Sequence, residues 1–164
     1  MRGPDESPEA PMSLYSAQVL PEWIDYNGHM SEAFYVLVFG YATDALLETI
    51  GADRQYRERT GSSVYTLEAH ITYLKSAKVG EPLRIETRLL DLDHKRAHIF
   101  HAMHQTRRDD LLATEEALLM HLDMLSERST PFPHQIHSRL EDFRQAHAGL
   151  PRPKRAGHSI AISH

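Results

Sequence analysis

The 164-residue sequence contains no cysteine. That removes disulfides, thiolate zinc sites, iron–sulfur clusters and cysteine nucleophiles together. Basic side chains are the minority, 18 against 23 acidic, and the net charge of −5 argues against nucleic-acid binding driven by total charge. No apolar run reaches the roughly 20 residues that span a bilayer. The opening MRGPDESPEAPM is acidic and proline-rich, whereas a secretory leader is charged and then apolar. A cytoplasmic protein, with neither membrane nor nucleic acid as partner, is therefore expected. Neither G-x-x-x-x-G-K-[ST] nor G-x-G-x-x-G occurs, which argues against a nucleotide-loop enzyme.

What remains is an ordinary globular composition of one domain's length. Residues 1–12 read as a disordered lead-in, 13–147 as the domain, and 148–164 as a flexible tail. A short strand is predicted at 13–20, ended by Pro21. From Ser31 to Ile50 the apolar residues fall at helical spacing, with Ser31 as N-cap and Gly51 as the stop. This helix is apolar on more than one face, so it is expected to be buried. A polar link, 52–61, leads to a strand in which Tyr65, Leu67, Ala69, Ile71 and Tyr73 alternate with Val64, Thr66, Glu68, His70 and Thr72. Further strands follow near 83–89, 96–107 and 111–124, and Ile136, Leu140 and Phe143 mark a short last helix. The fold class is α+β: an antiparallel sheet of about five strands wrapped around one long buried helix.

The segment from Trp23 to Ser31, just before that helix, is the densest chemistry in the chain. It holds a carboxylate, Asp25, and an imidazole, His29, on a turn that feeds a helix N-terminus, where unpaired N–H groups and a partial positive charge gather. Such donors suit an oxyanion formed in acyl transfer, with the backbone of Gly28 to Met30 nearest to it. Gly28 permits close approach, and Asp25 is placed to act as general base or nucleophile. In the plainer alternative, Asp25 and Asn27 cap turns and His29 packs at the helix entrance.

Glu68 stands out as a mid-strand carboxylate among β-branched and aromatic neighbours; it binds a cationic group, positions water, or pairs across the sheet. His98, His101 and His104 point alternately to opposite faces of their strand, so no metal site is expected. Lys75, Lys78, Lys95 and Arg96 lie in or beside loops and are candidates to hold phosphate oxygens.

The run D-Y-N-G-H-M-S-x-x-x-Y, followed by the helix and then a strand with H-I-T-Y-L, resembles the hotdog-fold acyl-CoA thioesterases of the 4-hydroxybenzoyl-CoA thioesterase type. The resemblance covers roughly residues 13–125. The common family form is D-x-N-G-H-x-N-N; Asp25, Asn27, Gly28 and His29 match it, while Ser31 and Glu32 replace the paired asparagines. It implies that Asp25 is the catalytic carboxylate, that the substrate is an acyl-CoA, and that no cofactor is needed because coenzyme A belongs to the substrate. A homodimer or homotetramer is implied as well. The stretches PEWIDYNGHMSEAFYVLVFGYATDALL, SVYTLEAHITYL and KRAHIFHAM are similar to a narrower group within the family, the thioesterases of carnitine breakdown, which act on betainyl-CoA and in some organisms are fused to L-carnitine dehydrogenase. A cationic acyl group suits the aromatic Trp23, Tyr26, Phe34 and Tyr35, with Asp25 and Glu68 adding negative charge. The alternatives are a hotdog acyl-CoA hydratase or dehydratase, and a non-catalytic acyl-CoA-binding module.

Overall fold

The computed structural model describes residues 11–164; all but the last two residues of the acidic lead-in lie outside it. Six strands form one antiparallel sheet: β1 (Met12–Gln18), β2 (Ser62–Tyr73), β3 (Pro82–Leu92), β4 (Arg96–Gln105), β5 (Asp110–Asp123) and a two-residue β6 (Arg128–Ser129). The main path runs β1-β3-β4-β5-β2, with β6 appended to β5. Among the described residues three α-helices accompany it, α1 (Glu32–Ile50), α2 (Arg54–Thr60) and α3 (His134–His147), with one 3-10 turn at Pro21–Trp23. The expected five-stranded sheet curled on one long helix is what forms.

Helix α1 starts at Ser31, although the Ser31 side chain makes no capping hydrogen bond, and it ends on Gly51 in the left-handed conformation. Tyr35, Val38, Phe39, Ala42, Leu46 and Ile50 supply its buried stripe, at steps of three and four. The opposite side is not buried. Val36, Leu37 and Tyr41 are exposed, contrary to the all-round burial expected from composition. At 19 residues α1 is long and apolar enough to cross a membrane, yet its buried stripe is given to the sheet. Helix α3 closes the far end, where Arg139 donates to the carbonyl of Ile50 at 3.0 Å.

Two further expectations are corrected. Residues 54–60 are not a link but helix α2, capped by Asp53, whose carboxylate accepts from the Tyr56 N–H at 3.0 Å. Its one buried apolar residue, Tyr56, leaves no periodic signal to read. In β2 the alternation does not run through. Thr66 pairs with Leu119 and Glu68 with Leu118, so Leu67 is an extra residue that flips every side chain after it. Val64 and Thr66 thus face α1 before the bulge, and Ala69, Ile71 and Tyr73 face it afterwards.

The inner face of the sheet carries an unexpected row. Ile85, Met103 and Ala113 lie in register in one apolar cluster, and Leu89, Ile99 and Ala117 in a second. Between them runs Thr87–His101–Glu115, also in register and all buried. Thr43 of α1 meets this row from the helix side, its Oγ1 3.0 Å from His101 Nε2.

Candidate active site

The turn before α1 is a tight hairpin closed by a bridge between Ile24 and Met30. The Asp25 N–H donates to the His29 carbonyl at 3.0 Å, the Gly28 N–H to the Asp25 carbonyl at 3.0 Å, and Gly28 takes φ +81°, a conformation that suits a residue without Cβ. The hairpin is anchored from both sides. Ser31 N–H donates to the Trp23 carbonyl at 2.9 Å, and Met30 N–H to the Ala77 carbonyl at 2.8 Å. Ala77 in turn is tied to α1, because its N–H donates to Tyr35 Oη at 3.0 Å while that hydroxyl donates to the Lys75 carbonyl at 3.3 Å. Buried Trp23 stacks on Phe34 with ring centres 5.7 Å apart. The turn is therefore a rigid ledge on the start of the central helix.

Asp25 is half-buried on this ledge. Its Oδ1 accepts from the Asn27 N–H at 2.8 Å, and among the described residues it joins no ion pair. One carboxylate oxygen is held and the other is open. His29 is half-buried beside it, and its ring has no hydrogen-bond partner among the described residues. Of the backbone donors expected to form an oxyanion cradle, two are spent: Gly28 on Asp25 and Met30 on Ala77. The donors left over are the His29 N–H and the first-turn N–H groups of α1, at Glu32 and Ala33, which have no intrahelical acceptor.

The other candidates divide by position. Tyr35 is core and structural; Phe34 walls the ledge through Trp23. Tyr26 is 98% exposed at the tip of the hairpin, so within one protomer it does not wall the site. Glu68 lies on the outer face of β2, away from α1, and borders a cavity of about 470 Å³ shared with His70, Asp91, His98, Glu116 and His158. The C-terminal segment is fastened beside this cavity, with Gly157 N–H donating to Glu116 at 2.6 Å and Arg88 to the Pro151 carbonyl at 2.7 Å.

The four phosphate candidates are not brought together. Lys75 and Lys78 flank Ala77 and hence the ledge, Lys75 pairing with Asp110 at 2.6 Å. Lys95 and Arg96 sit at the opposite end of the β3–β4 hairpin, where Arg96 pairs with Asp93 at 2.7 Å. Asp93 accepts from two backbone N–H groups as well and is held well below the usual carboxylate range, at about 2. His98 and His104 face outward to Glu116 and Glu86 while His101 faces inward, and no metal-binding cluster forms among the described residues.

One residue of interest was missed. Glu115 is 6% exposed on the inner face of β5, and desolvation pushes its carboxyl up to about 7. A charged residue at a core-facing position of an otherwise apolar strand was the available signal, but with Glu116 adjacent it cannot be used until the register is known.

The family model described as Thioesterase-like superfamily matches residues 19–143, from just before the hairpin through most of α3. The betainyl-CoA thioesterase of Pseudomonas aeruginosa is 43% identical over 151 residues, covering 92% of this chain and 95% of that one. A longer Rhizobium meliloti protein, L-carnitine dehydrogenase/betainyl-CoA thioesterase, is 39% identical over 92% of this chain and 30% of its own length. A hypothetical protein of Staphylococcus aureus, solved in complex with CoA, superposes with a TM-score of 0.88 at 26% identity, over 94% of this chain and 98% of that one. Turn, helix and sheet all fall within these matches, and the chain belongs to the thioesterase-like superfamily, built on the hotdog fold.

Proposed function

We propose that this chain hydrolyses a short acyl-CoA thioester, betainyl-CoA, to the free acid and coenzyme A. The observation that carries the reading is the Asp25 carboxylate, half-buried, with one oxygen tethered and the other open at the entrance of α1. The relatives' names supply the acyl group. In this reading Asp25 takes a proton from water as the water oxygen adds to the thioester carbonyl carbon. The resulting oxyanion is met by the His29 N–H and the first turn of α1. Collapse of the tetrahedral adduct breaks the C–S bond. The thiolate is a good leaving group and takes up the proton that Asp25 acquired, so no strong general acid is needed. Lys75 and Lys78, beside the ledge, are the cations of this protomer best placed for the phosphates of coenzyme A.

The working unit in this reading is a homodimer, and the setting the cytoplasm. β2 is an edge strand with an open row of backbone groups, and it exposes Tyr73 on the α1 side, Tyr65 on the opposite face and Leu67 at the bulge between them. A long apolar edge of this kind is stable in water only when covered, and a second copy offers the same edge in antiparallel orientation.

Thiol release from a panel of acyl-CoAs tests the activity. A thioesterase releases free thiol with a preference order led by betainyl-CoA. A hydratase releases none but changes an enoyl absorbance, and a binding module does neither; both of those outcomes contradict the proposal.

A further inference from the structure

Glu115 has no role in the reaction as written, and its position is costly. Burying a carboxylate without hydrogen-bond partners is unfavourable. Its nearest cationic candidate, His101 Nε2, is 4.0 Å away. That imidazole is fully buried, driven down to about 3, and both its nitrogens are engaged by Thr43 and Thr87. It is neutral at physiological pH and cannot neutralise the carboxylate. Among the described residues no donor hydrogen-bonds either oxygen of Glu115.

Beside Glu115 the cover thins towards β2, where its register partner Ile71 is only half-buried. Thr66, Ala69 and Tyr73 of β2 point to the α1 side of the sheet, yet all three are exposed, whereas the same face of β3 and β4 is buried. Across the gap α1 touches β2 only sparsely and presents Val36 and Gly40, the latter with nothing near its missing side chain. Tyr73 links this cleft to the ledge. Its hydroxyl lies 3.4 Å from the Glu32 carbonyl at the start of α1, its ring meets Tyr35 edge-on at 5.3 Å, and the charge of Glu115 acts on it. A carboxylate at the floor and the Tyr73 ring along one wall form a poor site for a fatty acyl chain. They suit a quaternary ammonium, whose charge is spread over methyl groups and which has no N–H to donate.

We propose that Glu115 is the specificity-determining carboxylate of the acyl cleft, holding the quaternary ammonium of the acyl group against the Tyr73 wall. The inference rests on the betainyl-CoA reading above and assigns to Glu115 the charge recognition that the sequence alone suggested for Glu68.

The test compares betainyl-CoA with 3,3-dimethylbutyryl-CoA, which replaces the ammonium nitrogen by carbon at nearly unchanged shape. The wild-type protein is expected to prefer the cation in kcat/KM by about tenfold or more, the scale of one desolvated charge contact. Glu115→Gln removes most of that preference, and Glu115→Asp restores much of it. A Glu115→Gln protein with the wild-type ratio overturns the assignment, as does a wild-type protein with no preference between the two. Failure to hydrolyse betainyl-CoA at all, with other acyl-CoAs turned over, overturns the substrate reading instead and removes the basis of the assignment. The unaltered protein gives a check that needs no variant. The cation is permanent, and the titratable groups facing Glu115 are His101 from β4 and Tyr73 from β2, neither of which changes charge near neutrality. The preference is therefore expected to rise from pH 6 to pH 8, and a flat ratio contradicts the proposal.

Discussion

Thr43 of the central helix and His101 of the sheet are joined by a 3.0 Å hydrogen bond at the boundary between the two apolar clusters. With Thr87 Oγ1 2.9 Å from the other ring nitrogen, both nitrogens of the imidazole are engaged, and burial drives its pKa down to about 3. A group whose folded pKa lies below its unfolded value contributes stability above the unfolded pKa and loses it as pH falls towards the folded one. His101 by itself is thus expected to take away about 2–3 kcal/mol of stability between pH 6.5 and pH 4.5, a loss that the raised carboxyl of Glu115 offsets over the same range. Denaturant titrations check this: wild-type stability changes little across that range, and in His101→Gln it rises as pH falls. A His101→Gln slope equal to the wild type's contradicts the buried neutral imidazole.

Glu115 carries the opposite sign. Its carboxyl is raised from 4.5 to about 7, so folding is favoured below the unfolded pKa and penalised as pH rises through the folded one. Glu115→Gln is expected to be more stable than the wild type at pH 8, by up to about 3 kcal/mol. The difference vanishes below about pH 4.5, where both side chains are neutral. Equal thermal midpoints at pH 8 contradict the burial of an ionised carboxylate. A residue that lowers stability while serving specificity is the trade expected at a functional site.

Much of this architecture was legible in the sequence. The α1 boundaries, the Asp25 turn and the period-two strands follow from caps, turn formers and alternation, all local. What was not legible depends on distant pairing. The bulge at Leu67 shows only as a slip against β5, so simple alternation groups Tyr65 and Leu67 with Ala69, Ile71 and Tyr73, whereas the side facing α1 takes Val64 and Thr66 before the bulge. Whether Glu115 or Glu116 faces inward depends on that same strand's register. The long apolar stretch in α1 predicted burial on all sides because composition does not separate the stripe that packs on the sheet from apolar residues left at the surface of the protomer.

The exposed side of α1 and the open edge of β2 give a further expectation. Leu67→Glu places a charge in the middle of that edge, where burial at an interface costs a few kcal/mol. Sedimentation at micromolar concentration is expected to show a dimer for the wild type and a monomer for the variant. A wild type that sediments as a monomer contradicts the proposed assembly.

The most direct test is the turnover of Asp25→Asn on betainyl-CoA, followed by thiol release, with circular dichroism to confirm that the hairpin and helix remain. Asparagine keeps the oxygen that accepts from the Asn27 N–H and loses the base. The expected result is a fall in kcat of about 100-fold or more, with KM changed little. Turnover near the wild-type rate would show that the carboxylate at the entrance of α1 is not the group that activates the attack on the thioester.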